Sequence, residues 1–472
     1  MLTTSGQAPR ANTMTRRAAL EYAGVAAIFV LVTAVVALGF WPGRMNADTL
    51  VQIAQIRGNY YTNHHAPILQ ALWRPFFVNG AGPGWVLTAQ TLCFMSGAWL
   101  IFRLTFRRVP AALAAAVVAF TPPTFGSLGL IGRDVWFLSL LLLSFGLVAT
   151  AYRCAGRKRT LVCVGAVLAA WLALAARQNA AVSVVVPIVA VAFLVLRNWR
   201  GDRWGARGLV VRSVAAGVLA TLAMMMSLTV VKDAIGVTPA YPTGSLFAYD
   251  LAMYSLDDGT NRFPASILPQ RDMTQIQQLA NVDSANALVA SPTSPIRWPI
   301  SKHVDGVLQD AWIDRVTADP LGYLRIRTRL FLRQIALTRD AVWTYHPFID
   351  PNPWGYRTTF PWANDIANDY EDAFADAQLN GNTVFAVWIY LLASAVAVVL
   401  CLRRRTTVRV LIAGLAAMPL LYQAGLYFGA MGTIFRFEYP AVVLGTIVMV
   451  FGVQRAWQLR PAAMRGRRHA GA

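Results

Sequence analysis

The sequence predicts an all-α polytopic membrane protein, with about ten transmembrane helices and a mainly helical extracytoplasmic domain inserted before the last three. Three observations carry that expectation. Of 472 residues, 56% are hydrophobic and only 14% charged, whereas soluble globular proteins are about a quarter charged. Apolar runs of about 20 residues, the length that crosses a bilayer as a helix, recur along the chain. Its basic residues also favour alternate loops, as cytoplasmic loops require.

The runs lie at 20–40, 84–106, 110–128, 135–152, 160–176, 180–197, 209–231, 384–402, 408–430 and 438–455. Pro122 and Pro123 interrupt the third, because proline breaks the helical hydrogen-bond ladder. Whether 110–128 crosses the membrane in full is therefore open. The first run has an apolar core too long for a signal peptide, and Trp41-Pro42 follows it in place of a small-residue cleavage site. It is expected to remain as an anchor.

A cytoplasmic N-terminus (Arg10, Arg16, Arg17) places Arg103, Arg107 and Arg108 on the inner side, then Arg153, Arg157, Lys158 and Arg159. The inner loops around residues 197–212 and 403–409 and the tail from Arg455 continue the pattern. In total, 24 basic groups stand inside against two acids, Glu21 and Asp202, while 18 basic and 20 acidic groups fall outside. The net charge of +20 is thus a topology signal, which removes nucleic acid as an expected partner. Both termini are expected in the cytoplasm. The four cysteines (Cys93, Cys154, Cys163, Cys401) lie in or beside spans, so no disulfide framework supports the outer loops. Abundant Arg and Ala with only three lysines point to a GC-rich bacterial source, and hence to a bacterial plasma membrane.

Three blocks result. Residues 1–231 form an N-terminal membrane block with its first outer loop at 41–83. Residues 232–383 form a polar extracytoplasmic domain, and residues 384–472 a C-terminal membrane block with a basic cytoplasmic tail. The two membrane blocks do not resemble each other, which weakens a transporter reading, since many transporters are built from duplicated halves.

In the first outer loop, Asp48 is placed to cap a helix carrying Leu50, Ile53, Ala54 and Arg57, and Pro67 opens a second helical stretch. Both would lie on the outer leaflet. Within the domain, 301–318 reads as an amphipathic helix and Asp319-Pro320 starts another. That second helix bears Arg325, Arg327, Arg329 and Arg333 beside an apolar stripe. It either lies on the membrane surface or packs on its own domain. Tyr241-Pro242, Asp250 and Asp257-Asp258 read as loop. Residues 343–362, rich in proline and aromatics, read as an irregular loop able to line a cleft.

Ionisable groups at membrane depth are costly and tend to face water-filled cavities. Asp48, His64 and His65 stand on the first outer loop, and Arg133-Asp134 at the outer mouth of the fourth span. Arg177-Gln178-Asn179 occupy the next outer turn, and Arg436 and Glu438 begin the last span. One shared outer pocket explains why all of them open on the same leaflet. Its arginines suit a lipid phosphate, which guanidinium groups grip in a two-pronged geometry. Its carboxylate suits proton removal from an attacking hydroxyl.

The order of these features resembles the GT-C class of integral-membrane glycosyltransferases, particularly bacterial enzymes related to the mannosyltransferase and aminoarabinose-transferase branches. Asp48 in RMNADTL matches the essential acid of their first extracytoplasmic loop. NHHAP (Asn63–Pro67) resembles a His-Pro element, GRDVWF (Gly132–Phe137) a Lys/Arg-Asp element and ARQNA (Ala176–Ala180) an Arg-x-Asn element. FRFEYP (Phe435–Pro440) resembles an Arg-Tyr-rich start of a late span. The resemblance implies an inverting sugar transfer from a polyprenyl-phosphate donor to an envelope glycan, lipid or protein, with Asp48 catalytic. It gives Arg177 and Arg436 the donor phosphate, and His64, His65, Arg133, Asp134 and Asn179 the rest of the substrate. Branches that need a divalent cation often pair two acids in this loop. Here Ala47 and Asn46 precede Asp48, so no tightly bound metal and no cofactor are expected.

Plainer readings stand beside these. Asp48 could serve as a helix cap and the histidines as interfacial hydrogen-bonding groups, adjacent histidines on a helix or strand pointing apart. Arg133-Asp134 could be a local pair, Arg177 an anchor of its turn, and Arg436 a partner of Glu438. A transporter or flippase of a lipid-linked sugar is the rival function, and a non-catalytic envelope scaffold the third.

Overall fold

The computed structural model describes residues 16–80, 82–178, 181–200, 205–268, 273–291, 293–294, 296, 300–338, 346–379, 384–403 and 406–469. The first block holds α1 (Arg16–Phe40), α2 (Ala47–Gly58), α3 (Pro67–Val78), α4 (Pro83–Phe102), α5 (Arg108–Ala119), α6 (Pro122–Leu128), α7 (Arg133–Ala151), α8 (Gly156–Ala176), α9 (Ala181–Arg200) and α10 (Gly205–Ala234). The polar segment adds α11 (Thr243–Asp258), α12 (Thr274–Leu279), α13 (Asn286–Ala290), α14 (Lys302–Ala318), α15 (Pro320–Gln334) and α16 (Pro361–Leu379). The last block is α17 (Val387–Leu402), α18 (Thr407–Gly429) and α19 (Phe435–His469). A two-residue parallel bridge, β1 (Tyr61–Thr62) with β2 (Val237–Thr238), ties the first loop to the start of the polar segment.

The protein is an all-α polytopic membrane protein. Among the described residues, eight helices are long and apolar enough to cross a membrane. Two expected spans come out differently. The eighth run is a helix of 16 residues, α17, about 24 Å long. The third is broken, α5 and α6 meeting at 81°. Pro122 and Pro123 open α6 where proline is at home, because the first helical N–H groups need no partner.

The break leaves irregular backbone beside the bundle, and its carbonyls are met. Gln90 of α4 donates through Nε2 to the carbonyls of Leu128 and Leu130, at 3.0 and 3.1 Å. Arg44 and Ile131 exchange backbone bonds across the same stretch: Arg44 N–H reaches Gly129 O at 2.9 Å, and Ile131 N–H reaches Arg44 O at 3.0 Å. Backbone that cannot satisfy itself inside a membrane survives only with such partners. Thr49 adds a hydroxyl bond of 2.6 Å to Ile131 O. The first loop is thus stitched onto the broken helix.

The polar segment packs as a helical body. Ser301 caps α14 through Val304 N–H, and Asp319 caps α15 through Gly322 N–H at 2.8 Å, with Pro320 in the first turn. The arginines of α15 meet acids of this same body. Arg327, fully buried, pairs with Asp250 at 2.7 Å and donates to Ala430 O at 2.6 Å. Arg325 and Arg329 share Asp257, and Arg333 takes Asp283 at 3.1 Å. Asp250, Asp257 and Asp258, which read as loop, are on α11. The cause is tertiary: the helix carries its acids toward α15, information no local pattern contains.

Candidate functional site

Asp48 is the second residue of α2, and the cap is Asn46, whose side chain accepts from Thr49 N–H at 3.0 Å. Both residue types cap well, and the chain uses the earlier one, so the Asp48 carboxylate is released from local duty. It meets Arg436 of α19, which donates through Nη1 to Oδ2 at 2.5 Å. Arg436 thus reaches beyond its own helix, to an acid 388 residues away.

Arg133, at the start of α7, donates through Nη1 to His64 O at 2.9 Å. Its neighbour Asp134 turns to another partner and forms a buried ion pair with Arg177, the residue closing α8. Arg133 and Asp134 are thus not a local pair, and Arg177 is more than a turn anchor. The Arg177 guanidinium also sits 5.7 Å from the ring centre of Tyr422 and 5.1 Å from that of Phe437, a cation–π setting for a cation withdrawn from water. Four segments far apart in sequence converge here: the first loop, the starts of α7 and α19, and the end of α8.

The cleft between them has two communicating parts. The more enclosed recess, of 420 Å³, is lined by Asp48, Gln52, Arg133, Asp134, Arg436 and Tyr439 among others. A wider part of 850 Å³ shares Asn46, Asp48 and Arg436 and reaches Asn286, His346 and Asp350 of the polar segment. Nε of Arg436, Oη of Tyr439 and Oε1 of Gln52 are buried and have no hydrogen-bond partner among the described residues. Buried polar atoms are normally satisfied, so a polar ligand has groups to meet in this recess.

Of the expected site residues, Asp48, Arg133, Asp134 and Arg436 line the cleft. Arg177, His64 and His65 stand behind its wall. The histidine rings touch edge to face, their centres 4.4 Å apart. They occupy the turn between β1 and α3, so the rule that neighbours point apart on a helix or strand does not apply. Asn179 lies outside the described residues. Gln52, one turn after Asp48 on the same face of α2, was legible from its i, i+4 spacing but was not singled out. Tyr439, His346 and Asp350 were not either, the last two because only the folding of 346–360 against Met45 brings them near.

Charge in the site is set by burial and arginine. Burial alone raises the Asp48 carboxyl, but Arg436 and Arg133 outweigh it and hold it well below the usual carboxylate range. Burial, followed by the Arg133 charge, lowers His64 to about 4. Burial and the neighbouring His64 lower His65 to about 3. At neutral pH the site therefore holds an anionic Asp48, cationic arginines and uncharged imidazoles. Among the described residues no group of three or more His, Cys, Asp or Glu side chains converges as a metal site.

A further buried ion pair holds the start of the first loop. Arg44 donates to both oxygens of Glu371 on α16 at 3.0 Å, and its guanidinium lies 4.3 Å from the Phe40 ring centre. Gly126 faces this carboxylate: a Cβ there would collide with Oε2. Nothing in the sequence marks these two residues as partners.

No family model and no curated protein sequence matches the chain. Among solved structures it is similar to the archaeal oligosaccharyltransferase AglB from Archaeoglobus fulgidus, in complex with an inhibitory peptide and a dolichol-phosphate. The TM-score is 0.40 at 12% identity, over 93% of this chain and 52% of that one. The chain thus spans about half the length of that structure. A likeness of this size leaves function to be argued from the site.

Proposed function

We propose that the protein is a membrane glycosyltransferase of the GT-C kind, moving a sugar from a polyprenyl-phosphate donor to a hydroxyl of an envelope acceptor on the outer face of the plasma membrane. The observation that carries this reading is the Asp48–Arg436 contact of 2.5 Å at the head of a recess also lined by Arg133. An acid and two guanidinium groups beside an apolar bundle match the needs of phosphate departure and hydroxyl attack.

The donor phosphate takes Arg436 and Arg133, which line the cleft, while Arg177 holds Asp134 in place from behind. The acceptor oxygen attacks the anomeric carbon, inverting it. The carbon–oxygen bond to phosphate breaks, polyprenyl phosphate leaves with the electron pair, and the hydroxyl proton passes to Asp48. Paired with Arg436, Asp48 is a weak base. A phosphate that draws the guanidinium to itself strengthens it, so donor binding prepares the acid for its role. The acceptor enters through the wider part of the cleft, past His346 and Asp350.

The test gives purified protein a radiolabelled polyprenyl-phosphate sugar and a crude envelope acceptor, beside Asp48→Asn. Label reaching the acceptor, and lost in the variant, supports the enzyme. Donor crossing vesicles uncleaved would replace it with a flippase, and equal transfer by the variant would remove Asp48 from the chemistry.

A further inference from the structure

A separate cavity lies at the opposite end of the bundle. It has an empty volume of 1380 Å³ and is bounded by the end of α17, the start of α18 and the middle of α19. Its walls are apolar, with Leu400, Val408, Ile412 and Phe451, and its rim carries Arg409 and Arg455. Arg455 follows Arg436 by 19 positions on one helix, about 28 Å along the axis. The hydrocarbon core of a bilayer is about 30 Å thick, so the cavity belongs to the other leaflet from the cleft.

The charged residues that line it, Arg409 and Arg455, are both basic, and the sequence from 403 to 409 and from Tyr439 onward holds no acid. An apolar hollow under such a rim is complementary to a lipid with an anionic head, and basic pockets between helices bind lipids of this kind.

We propose that this cavity binds an anionic phospholipid of the leaflet opposite the cleft, an acyl chain filling the hollow and the phosphate lying between Arg409 and Arg455. The two guanidinium groups stand on different helices, α18 and α19, so one phosphate bridges them. Bulk phospholipid surrounds this end of the molecule, whereas a polyprenyl carrier is scarce and has its phosphate partners at the other end.

Native mass spectrometry of the full chain in neutral detergent tests this with phosphatidylglycerol, phosphatidylcholine and polyprenyl phosphate. Phosphatidylglycerol is expected to be retained in preference to phosphatidylcholine. The double variant Arg409→Gln/Arg455→Gln is expected to bind it about thirtyfold more weakly. Gly452→Leu keeps both charges and projects a side chain into the hollow, since a Cβ at Gly452 meets nothing within 4 Å; it is expected to weaken lipid binding as well. Equal retention of the two phospholipids, or undiminished phosphatidylglycerol binding in both variants, would overturn the proposal. So would polyprenyl phosphate outcompeting phosphatidylglycerol in a manner that the double variant abolishes. The readout needs no turnover, so it stands or falls apart from the proposed transferase activity.

Discussion

Asp48 and Arg436 are 388 residues apart and share a hydrogen bond of 2.5 Å. The contact joins the first loop to the last long helix, and with burial and Arg133 it sets the charge of the carboxylate. Because the pair is one-third exposed or less on each side, an incoming anion can compete for the guanidinium.

Two consequences follow for Asp48→Asn. Transfer is expected to fall by about 10²–10⁴, the usual worth of a positioned base. Binding of polyprenyl phosphate is expected to tighten, since the phosphate no longer competes with a carboxylate for Arg436. Binding measured by fluorescence or calorimetry checks the second; unchanged or weaker binding would refute the competition.

Arg436→Gln tests the same contact from the other side. In the wild type the Asp48 carboxyl is held low, so its charged form persists to pH values below the ordinary carboxylate range. Without Arg436, burial is opposed chiefly by Arg133, and the acid limb of kcat/KM is expected to move upward in pH. Donor affinity is expected to drop as well. A pH profile that keeps its acid limb while activity falls would show that Arg436 does not tune Asp48.

The Asp134–Arg177 pair is buried on both sides, with side chains 12% and 7% exposed. Removing one member breaks a buried ion pair, at a cost of about 3–5 kcal/mol. Asp134→Asn or Arg177→Gln is therefore expected to destabilise strongly, and the double variant less than the sum. Chemical unfolding in detergent measures this. Additive losses would mean that the pair is not coupled.

Glu371 gives a pH signature of opposite sign. Burial pushes its carboxyl up to about 7, against the pull of Arg44. A group whose folded value exceeds its unfolded one contributes stability that is full below the unfolded value and lost as pH rises through the folded value. Thermal stability is expected to decline as pH rises between about 5 and 8, and Glu371→Gln to flatten that decline. A variant with the same slope would assign the decline to other groups.

Much of the architecture was legible because lipid imposes simple rules. Apolar length gives the spans, Pro122-Pro123 the break, and Asp319-Pro320 the start of α15. The meeting of Asp48, Arg133, Asp134 and Arg436 was also readable, since each ionisable group stands at a span end on one side. Finer choices were not. Asn46 and Asp48 are both good caps two positions apart, and spacing does not separate them. The acids that the α15 arginines meet, Asp250 and Asp257 on α11 and Asp283 beyond it, could not be assigned to them from spacing. Arg44 and Glu371 were invisible, because their contact depends on where α16 docks.

That docking has a mechanical consequence. Past Ala119 the third apolar run turns aside, and α16 comes in against α1 and α6, inserting Glu371 beside Arg44. The polar segment is thus wedged into the bundle like a stopper, not hung from it like a hinged cover. Swinging it away would strip a buried guanidinium of its counter-ion, so the wider part of the cleft keeps its wall of His346 and Asp350.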